Sequence, residues 1–402
     1  MNAFACGHAA HPDWRMALTM AAAQIDAQPQ APQGFTLGFA YFSDHYAAQA
    51  EALLAALRAR WPGVAWVGSV GVGVLASGVE YFDEPALALL LAPLPREQFR
   101  VFSGAQPLAG FAAFSALVHA DPGTPELAEL LPELSQRTAS GYLFGGLAAS
   151  RNGVRHLADG VWQGALSGVA FTQDVALLSR VTQGCQPIGP VRRITAAEDH
   201  AVLALDGEPA LRCLLRDLGM TLDEPRKLLP RLRSTLVGLS EETEAMLARG
   251  ALFGTDTRVR HLVGVDPARE VVAVAERVQP GMRLAFCGRD VQAARRDLVR
   301  ICSEIRDELE TQALDRGAAV GTTQPAPGAA APADAATRAI AGAIYISCAG
   351  RGGPHFGAPS AEAQIVRHAL GDVPLVGFFA SGEIARHHLY GYTGVLTVFT
   401  VP

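Results

Sequence analysis

The chain has 402 residues, of which 50% are hydrophobic, and a formal net charge of -6. A chain of this length and composition can bury a substantial core and predicts two domains. The charge balance and the absence of a Lys/Arg cluster interleaved with aromatic residues argue against a nucleic-acid partner, because phosphate neutralisation requires basic patches.

The six cysteines are spread along the chain rather than densely spaced. This usage predicts reduced thiols and a cytoplasmic protein. The first thirty residues have no basic leader and predict no signal peptide. The apolar run at 85–94 is short and bounded by prolines, so it predicts a buried strand and no membrane partner.

In chain order, the pattern first predicts a helix over Asp13–Ile25 and a Gln/Pro-rich spacer. A strand from Phe35, a helix starting at a capping Asp44 and a strand at 64–70 follow. A helix is also predicted around 111–119.

Further on, short strands joined by glycine turns predict antiparallel ribbons, interrupted by a helix at Pro209–Leu218. The fold class is therefore predicted to be α+β, with two tandem related domains of mostly antiparallel mixed sheets covered by helices. The predicted ranges are 1–33 for an N-terminal helix and spacer, 34–215 and 216–402 for the domains, and 317–338 for a flexible Ala/Pro/Gly-rich insertion.

Two segments at 67–75 and 376–384, VGSVGVGVL and VGFFASGEI, align with glycines in register. The aligned glycines are Gly68 with Gly377 and Gly73 with Gly382. Each segment follows a strand and a helix, which predicts a duplicated unit and a pseudo-two-fold arrangement with the glycine loops facing one cleft. Val74 stands where the second copy has Glu383, so only the C-terminal copy carries the charged residues.

The motifs CAGRGGPHFG, PLVGFFASGEI and TGVLTVF, together with YLFGGLAAS and QGCQPIGPVRRIT, resemble the FIST family of sensory proteins. The resemblance covers about residues 34–399. It implies paired N- and C-terminal FIST domains, binding of a small ligand such as an amino acid, and a signalling protein partner. The run GSVGVGV at 68–74 departs from the family's N-terminal pattern, because it lacks a cysteine and an acid.

The loop SCAGRGG places glycines around Arg351, which favours an anion-binding turn with a two-pronged guanidinium donor for a carboxylate. Glu383 follows an apolar strand and could accept hydrogen bonds from an ammonium group. Together, Arg351 and Glu383 would match the carboxylate and the ammonium group of a zwitterion such as a free amino acid. Alternatively, Arg351 faces solvent, or the two residues form a structural salt bridge. The residues predicted to bind the ligand are Cys348, Arg351, Gly352, Phe356, Gly357, Glu362, Phe378, Gly382 and Glu383.

Several of these residues could have a structural role instead of binding a ligand. Glu362 lies in the first helical turn, where a carboxylate often serves the helix N-terminus. Cys348 would need a base such as His355, His387 or His388 to act as a nucleophile, and a buried cysteine more often fills space. Phe356, Phe378 and Phe379 are predicted to be core residues, although one of them could form a wall of the pocket.

The sequence CGHAAH at 6–11 and the pair His387-His388 contain metal-ligand types without a recognised spacing, and the alternative is a mobile N-terminus. No metal, cofactor or catalytic constellation is predicted. The leading hypothesis is a non-enzymatic sensor of a small polar, zwitterionic metabolite. The alternatives are a thiol-dependent hydrolase or transferase using Cys348, and a scaffold with a vestigial site.

Overall fold

A computed structural model describes residues 4–28, 34–241, 257–319 and 340–400. They form two compact units, one of residues 1–182, 295–389 and 393–402, the other of residues 183–294 and 390–392. The predicted insertion at 317–338 lies outside the described residues from 320 onward. Among the residues described, no helix is both long and apolar enough to cross a membrane.

The helices lie between groups of mostly antiparallel strands, which is an α+β organisation. They are α1 (Trp14–Asp26), α2 (Ala50–Arg60), α3 (Leu127–Gln136), α4 (Ala210–Leu218), α5 (Pro225–Ser234), α6 (Val291–Ala319) and α7 (Ala361–Leu370).

The first unit is built on three six-stranded sheets. In chain order, its strands are β1 (Ala5–Ala10), β2 (Leu37–Ser43), β3 (Ala65–Gly71), β4 (Gly73–Ala76), β5 (Val79–Phe82), β6 (Ala86–Ala92), β7 (Phe99–Phe102), β8 (Ser115–Ala120), β9 (Tyr142–Leu147), β10 (His156–Ala158), β11 (Val161–Trp162), β12 (Leu166–Phe171) and β13 (Leu177–Gln183). The strands of the second unit follow as β14 (Cys185–Pro187), β15 (Arg192–Glu198), β16 (Ala201–Leu205), β17 (Glu208–Pro209), β18 (Leu236–Ser240), β19 (Arg258–Asp266), β20 (Val271–Val274) and β21 (Arg283–Arg289). The first unit ends with β22 (Ile340–Cys348), β23 (Leu375–Ala380), β24 (Gly382–Arg386), β25 (His388–Tyr390) and β26 (Thr393–Thr400).

The three sheets repeat one pattern, in the orders β1-β6-β2-β3-β10-β11, β7-β12-β8-β9-β24-β25 and β13-β26-β22-β23-β4-β5. Each contains one parallel pair, β2/β3, β8/β9 or β22/β23, which a helix connects. Each also receives a hairpin from another strand–helix–strand segment of the first unit: β4–β5 pairs with β23, β24–β25 with β9, and β10–β11 with β3. The first unit of the fold is thus a cyclic set of three strand–helix–strand repeats that exchange hairpins.

The same glycine contact occurs in all three repeats. A Cβ on Gly68, Gly145 or Gly377 would lie 1.8, 1.9 or 1.6 Å from the backbone oxygen of the residue opposite it in the parallel pair. Only glycine permits this approach. The alignment of Gly68 with Gly377 is confirmed, but the two-fold arrangement is wrong, because the segment containing Gly145 is a third copy that the glycine spacing did not reveal.

The core of the first unit lies where the sheets meet. The ring of Phe399 from β26 packs against Phe39 of β2 at 5.9 Å and Phe171 of β12 at 5.6 Å, centroid to centroid. Strands β2, β3, β6, β8, β22 and β23 are buried along their whole length. Their continuous apolar runs follow from burial on both faces.

The second unit is an antiparallel sheet of strands β14 to β21 with α4 and α5. Its apolar core includes Leu211 and Leu214 of α4, Leu228 of α5, and Val272 and Phe286 of the sheet. Helix α4 ends at Gly219, whose φ of 63° favours glycine at this position.

Three local predictions differ from the structure. The segment 111–119 contains β8 rather than a helix, because a fully buried apolar run carries no helical period. The sequence at 6–11 is not a mobile end: it forms β1, which pairs with β6. Asp44 does not cap a helix with its side chain, because its carboxylate instead accepts three hydrogen bonds from Arg151.

Candidate functional site

The candidate site lies at the carboxyl ends of β22 and β23. Arg351 belongs to a short 3-10 turn that follows β22, and Glu362 lies in the first turn of α7. Tyr345 and Ser347 are two residues apart on β22, so their side chains share one face of the sheet. The strand, the turn and the helix therefore bring these four polar side chains together.

Arg351 and Glu362 form a buried ion pair. The guanidinium donates from Nε at 2.9 Å and from Nη2 at 2.7 Å to Oε1 of Glu362, and the two side chains are 1% and 0% exposed. Tyr345 donates to the same oxygen at 2.5 Å, and Ser347 donates to Oε2 at 2.9 Å. Burial acts to lower the pKa of Arg351, but the nearby Glu362 carboxylate raises it overall, so the guanidinium stays charged.

One atom of the guanidinium remains without a hydrogen bond. Nη1 of Arg351 is buried and has no partner among the described residues. The Phe356 ring lies 5.1 Å from Cζ of Arg351, which gives a cation–π contact but no acceptor. A buried donor without an acceptor is rare in proteins and calls for an explanation.

Glu383 is also fully buried, and it is only half satisfied. Its Oε2 accepts hydrogen bonds from Thr393, at 2.7 Å from Oγ1 and 3.2 Å from the backbone nitrogen. No hydrogen bond of normal geometry reaches its Oε1 within the described part of the chain. Burial raises the pKa of Glu383 to about 8, while Thr393, the charge of Arg351 and the Cys348 thiol act to lower it. Arg351 and Glu383 therefore lie within each other's field but form no ion pair of their own.

The β4–β5 hairpin of the first repeat supplies a further wall of this site, which the sequence did not reveal. Oε1 of Glu80 accepts a hydrogen bond from the backbone nitrogen of Ala363 at 2.9 Å. Burial raises the pKa of Glu80 to about 7, and the charge of Glu362 also raises it. Phe82 lies over Gly352, where an added Cβ would be 2.1 Å from the ring. No local signal connects residues 80 and 82 with a loop at 351, because the hairpin exchange alone brings them there.

The predicted site residues are partly brought together. Cys348, Arg351, Gly352, Phe356, Glu362 and Glu383 lie in or next to the buried polar cluster, and Tyr345, Ser347 and Thr393 are members that the prediction missed. The predicted structural salt bridge between Arg351 and Glu383 is wrong, because Glu362 takes that role.

The other three predicted residues lie apart from the ion pair. Phe378 stacks on Tyr41 at 5.1 Å in the core. Gly357 is exposed, with a φ of 88°. Gly382 pairs with Leu147 in the sheet that contains β9.

A second buried polar group occupies the corresponding place in another repeat. His156, Glu383 and Val74 each pair with the residue that follows the close-contact glycine of a repeat. Nε2 of His156 lies 2.9 Å from the carbonyl of Gly164, and Nδ1 contacts the Ser167 hydroxyl. Since a carbonyl only accepts, Nε2 holds the proton and Nδ1 accepts from Ser167.

His119 extends this group. Its Nε2 lies 3.2 Å from the Tyr41 hydroxyl, and its Nδ1 has no hydrogen-bond partner among the described residues. Burial, together with the charge of the nearby His156, lowers the pKa of His119 to about 3, so the ring is neutral at physiological pH. The group thus provides neutral hydrogen-bonding atoms, in contrast to the charged cluster around Arg351.

An open cavity of about 330 Å³ lies elsewhere on the first unit. It is lined by Glu51, Arg155, Trp162 and Gln163, with three alanines and Val161. Its opposite charges and indole ring make it an alternative location for a small ligand.

Comparison with known proteins places the chain in a class of sensory domains. Residues 36–208 match the FIST N domain and residues 210–386 match the FIST C domain. The chain belongs to the FIST family, whose domains are sensory domains of signal transduction.

The chain is also similar to curated proteins, over most of its length in one case and over about half in another. The chain is 28% identical over 381 residues to "Uncharacterized protein MT0656" of Mycobacterium tuberculosis (strain CDC 1551 / Oshkosh), and the match covers 87% of this chain and 88% of that protein. It is 30% identical over 235 residues to "Uncharacterized protein Mb0898c" of Mycobacterium bovis, covering 54% of this chain and 49% of that protein.

Proposed function

We propose that the protein is a cytoplasmic sensor of a small zwitterionic metabolite, with a free amino acid as the leading class of ligand. The observation that carries the proposal is the pair of unsatisfied atoms in one buried cluster, Nη1 of Arg351 and Oε1 of Glu383. One is a cationic donor and the other belongs to an acid. A ligand carboxylate and a ligand ammonium are their complements.

Energetics support this assignment. A buried polar atom without a partner costs about 1–3 kcal/mol, and more for a charged group. A ligand that satisfies both atoms recovers this free energy, whereas a monovalent amine or acid satisfies only one. We therefore expect selectivity for molecules that carry both groups.

The ligand must enter by a local movement, because Arg351 and Glu383 are 1% and 0% exposed. Binding orders the covering segments in a new arrangement, and the resulting surface is what a signalling partner reads. The cytoplasmic location is proposed from the cysteines, whose six positions are spread along the chain rather than densely spaced as in a disulfide-rich secreted protein.

The test is a thermal-stability screen of the purified chain with the twenty amino acids, matched amines and matched carboxylic acids. A ligand at 100 times its Kd stabilises the folded state by about 2.7 kcal/mol. We expect zwitterions alone to raise Tm, and Arg351→Lys and Glu383→Gln to remove the response. Arg137→Gln is the matched control, because it breaks an exposed ion pair with Glu133.

Two outcomes would refute the proposal. In the first, the two site variants respond as the wild type does. In the second, Arg155→Gln removes the response and Arg351→Lys does not, which would move the ligand to the open cavity.

A further inference from the structure

The ring of Phe82 lies on the glycine loop that follows Arg351 at the candidate site. Phe82 is half-buried, whereas Arg351 and Phe356 beneath it are each 1% exposed. The ring lies flat enough on the glycine loop that a Cβ on Gly352 would be 2.1 Å from Cε2 and one on Gly353 would be 3.1 Å from Cδ1. This side chain thus packs against the backbone that follows Arg351, at Gly352 and Gly353.

A second aromatic contact completes the cover. The ring of Phe82 meets Phe379 of β23 edge-on, with centroids 4.9 Å apart and an interplanar angle of 85°. Phe379 is fully buried, so it forms the fixed side of this contact. Of the two rings, Phe82 is the one with room to move toward solvent.

The backbone beside Phe82 is held on both sides. On one side, the Glu80 nitrogen donates to the Ser360 hydroxyl at 3.0 Å, and its carboxylate accepts from Ala363 at the start of α7. On the other side, the Asp83 carboxylate lies 2.5 Å from Nη1 of Arg151. The ring is therefore positioned by contacts that do not involve the candidate ligand atoms.

We propose that Phe82 is the specificity-determining residue of the site: its ring occupies the space that the side chain of an amino acid would need, so that only amino acids with small side chains bind. The inference rests on the proposed function and deepens it. Rotation of the ring admits the ligand, and its return over Gly352 limits what fits. The residue that selects the ligand thus comes from the first repeat, while the charges that hold it come from the third.

The experiment measures binding of glycine, alanine, leucine and phenylalanine by calorimetry to the wild type, Phe82→Leu and Phe82→Ala. We expect the wild type to bind glycine or alanine at least 10-fold more tightly than leucine or phenylalanine. Phe82→Ala should bind leucine and phenylalanine at least 10-fold more tightly than the wild type does. The affinities of Phe82→Leu should lie between those of the wild type and Phe82→Ala. Phe111→Ala is the matched control, since that ring is also half-buried and contacts Arg100 instead of the site.

The outcomes separate the two proposals. If the wild type binds an amino acid but the ranking is the same in Phe82→Ala and Phe82→Leu, the role of Phe82 is wrong and the sensor function stands. If neither the wild type nor any variant binds, both are wrong. Should Phe82→Ala fail to fold, Phe82→Leu decides the question, because it retains a side chain against Phe379.

Discussion

Arg351 and Glu362 are joined by two hydrogen bonds, at 2.9 and 2.7 Å, in a region where neither side chain is more than 1% exposed. This pairing explains how a charged arginine is retained inside the protein. It also leaves Glu383 without a guanidinium partner, and Thr393 instead donates two hydrogen bonds to that carboxyl. What the site can bind is therefore determined by Arg351, Glu362 and Glu383 together, rather than by Arg351 and Glu383 alone.

The ion pair predicts a large loss of stability when one partner is removed. Glu362→Ala leaves an uncompensated buried guanidinium, and we expect the free energy of unfolding to fall by about 3–5 kcal/mol. Urea unfolding followed by tryptophan fluorescence measures it, because all four tryptophans belong to the unit that contains Glu362.

Glu133→Ala is the control for this measurement. Its ion pair with Arg137 is more than half exposed, and we expect a change of about 0–1 kcal/mol. A loss at Glu362 as small as that of the control would contradict the buried-pair account.

The raised pKa of Glu383 predicts a specific pH dependence of stability. Its value is about 8 in the folded chain against an ordinary 4.5, so the folded state binds a proton that the unfolded state has released. The stabilising contribution is present below pH 4.5 and is lost as pH rises toward 8. Glu80, with a pKa of about 7, acts in the same direction.

We therefore expect the free energy of unfolding of the wild type, measured between pH 5 and 8.5, to decline more steeply than that of Glu383→Gln. Glu80→Gln should likewise reduce the decline of the free energy of unfolding with pH, by the contribution of the Glu80 carboxyl. Parallel curves for the wild type and Glu383→Gln would show that the carboxyl titrates normally.

The close contact between Gly352 and Phe82 predicts a coupled pair of mutations. Gly352→Ala places a methyl group 2.1 Å from the ring, and we expect a loss of about 1–3 kcal/mol from overpacking. In Gly352→Ala/Phe82→Ala the clash is absent, so the double variant should be more stable than the sum of the single effects.

Gly104→Ala serves as the control for this cycle, because nothing lies within 4 Å of its added Cβ. Unfolding curves of the four proteins give the coupling. Strict additivity would mean that the Phe82 ring does not lie on the glycine loop.

The buried position of Cys348 predicts low reactivity. We expect iodoacetamide to modify Cys6 first, because it is more exposed than the other five cysteines, which are buried. Mass spectrometry of the digested protein after short exposure measures the order. Selective modification of Cys348 would instead favour the thiol-dependent enzyme that the sequence left as an alternative.

Several features followed from local sequence patterns. The helix after Asp13 was predicted and is present as α1, with the Asp13 carboxylate accepting from the Arg15 nitrogen. The match of Gly68 with Gly377 was visible because close backbone contacts accept only glycine. The fold class and the family followed from such patterns, since each depends on residues that are neighbours along the chain.

Other features were beyond local patterns. Residues 111–119 were predicted as a helix because a buried apolar run has the same composition in either structure, and pairing with β12 and β9 decided for a strand. The repeat that contains Gly145 escaped notice because its glycines, at 145 and 146, do not share the spacing of the other two copies.

From its sequence alone, this protein is an α+β chain of the FIST family with charged, glycine-rich loops after two apolar strands, because propensity, periodicity and glycine placement are written residue by residue. Only the tertiary structure decided that Arg351 pairs with Glu362, that Glu383 keeps an unsatisfied oxygen, and that Phe82 from the first repeat packs on the loop at Gly352. The reason is physical: hairpin exchange joins segments far apart in the chain, and burial then determines which charges must pair.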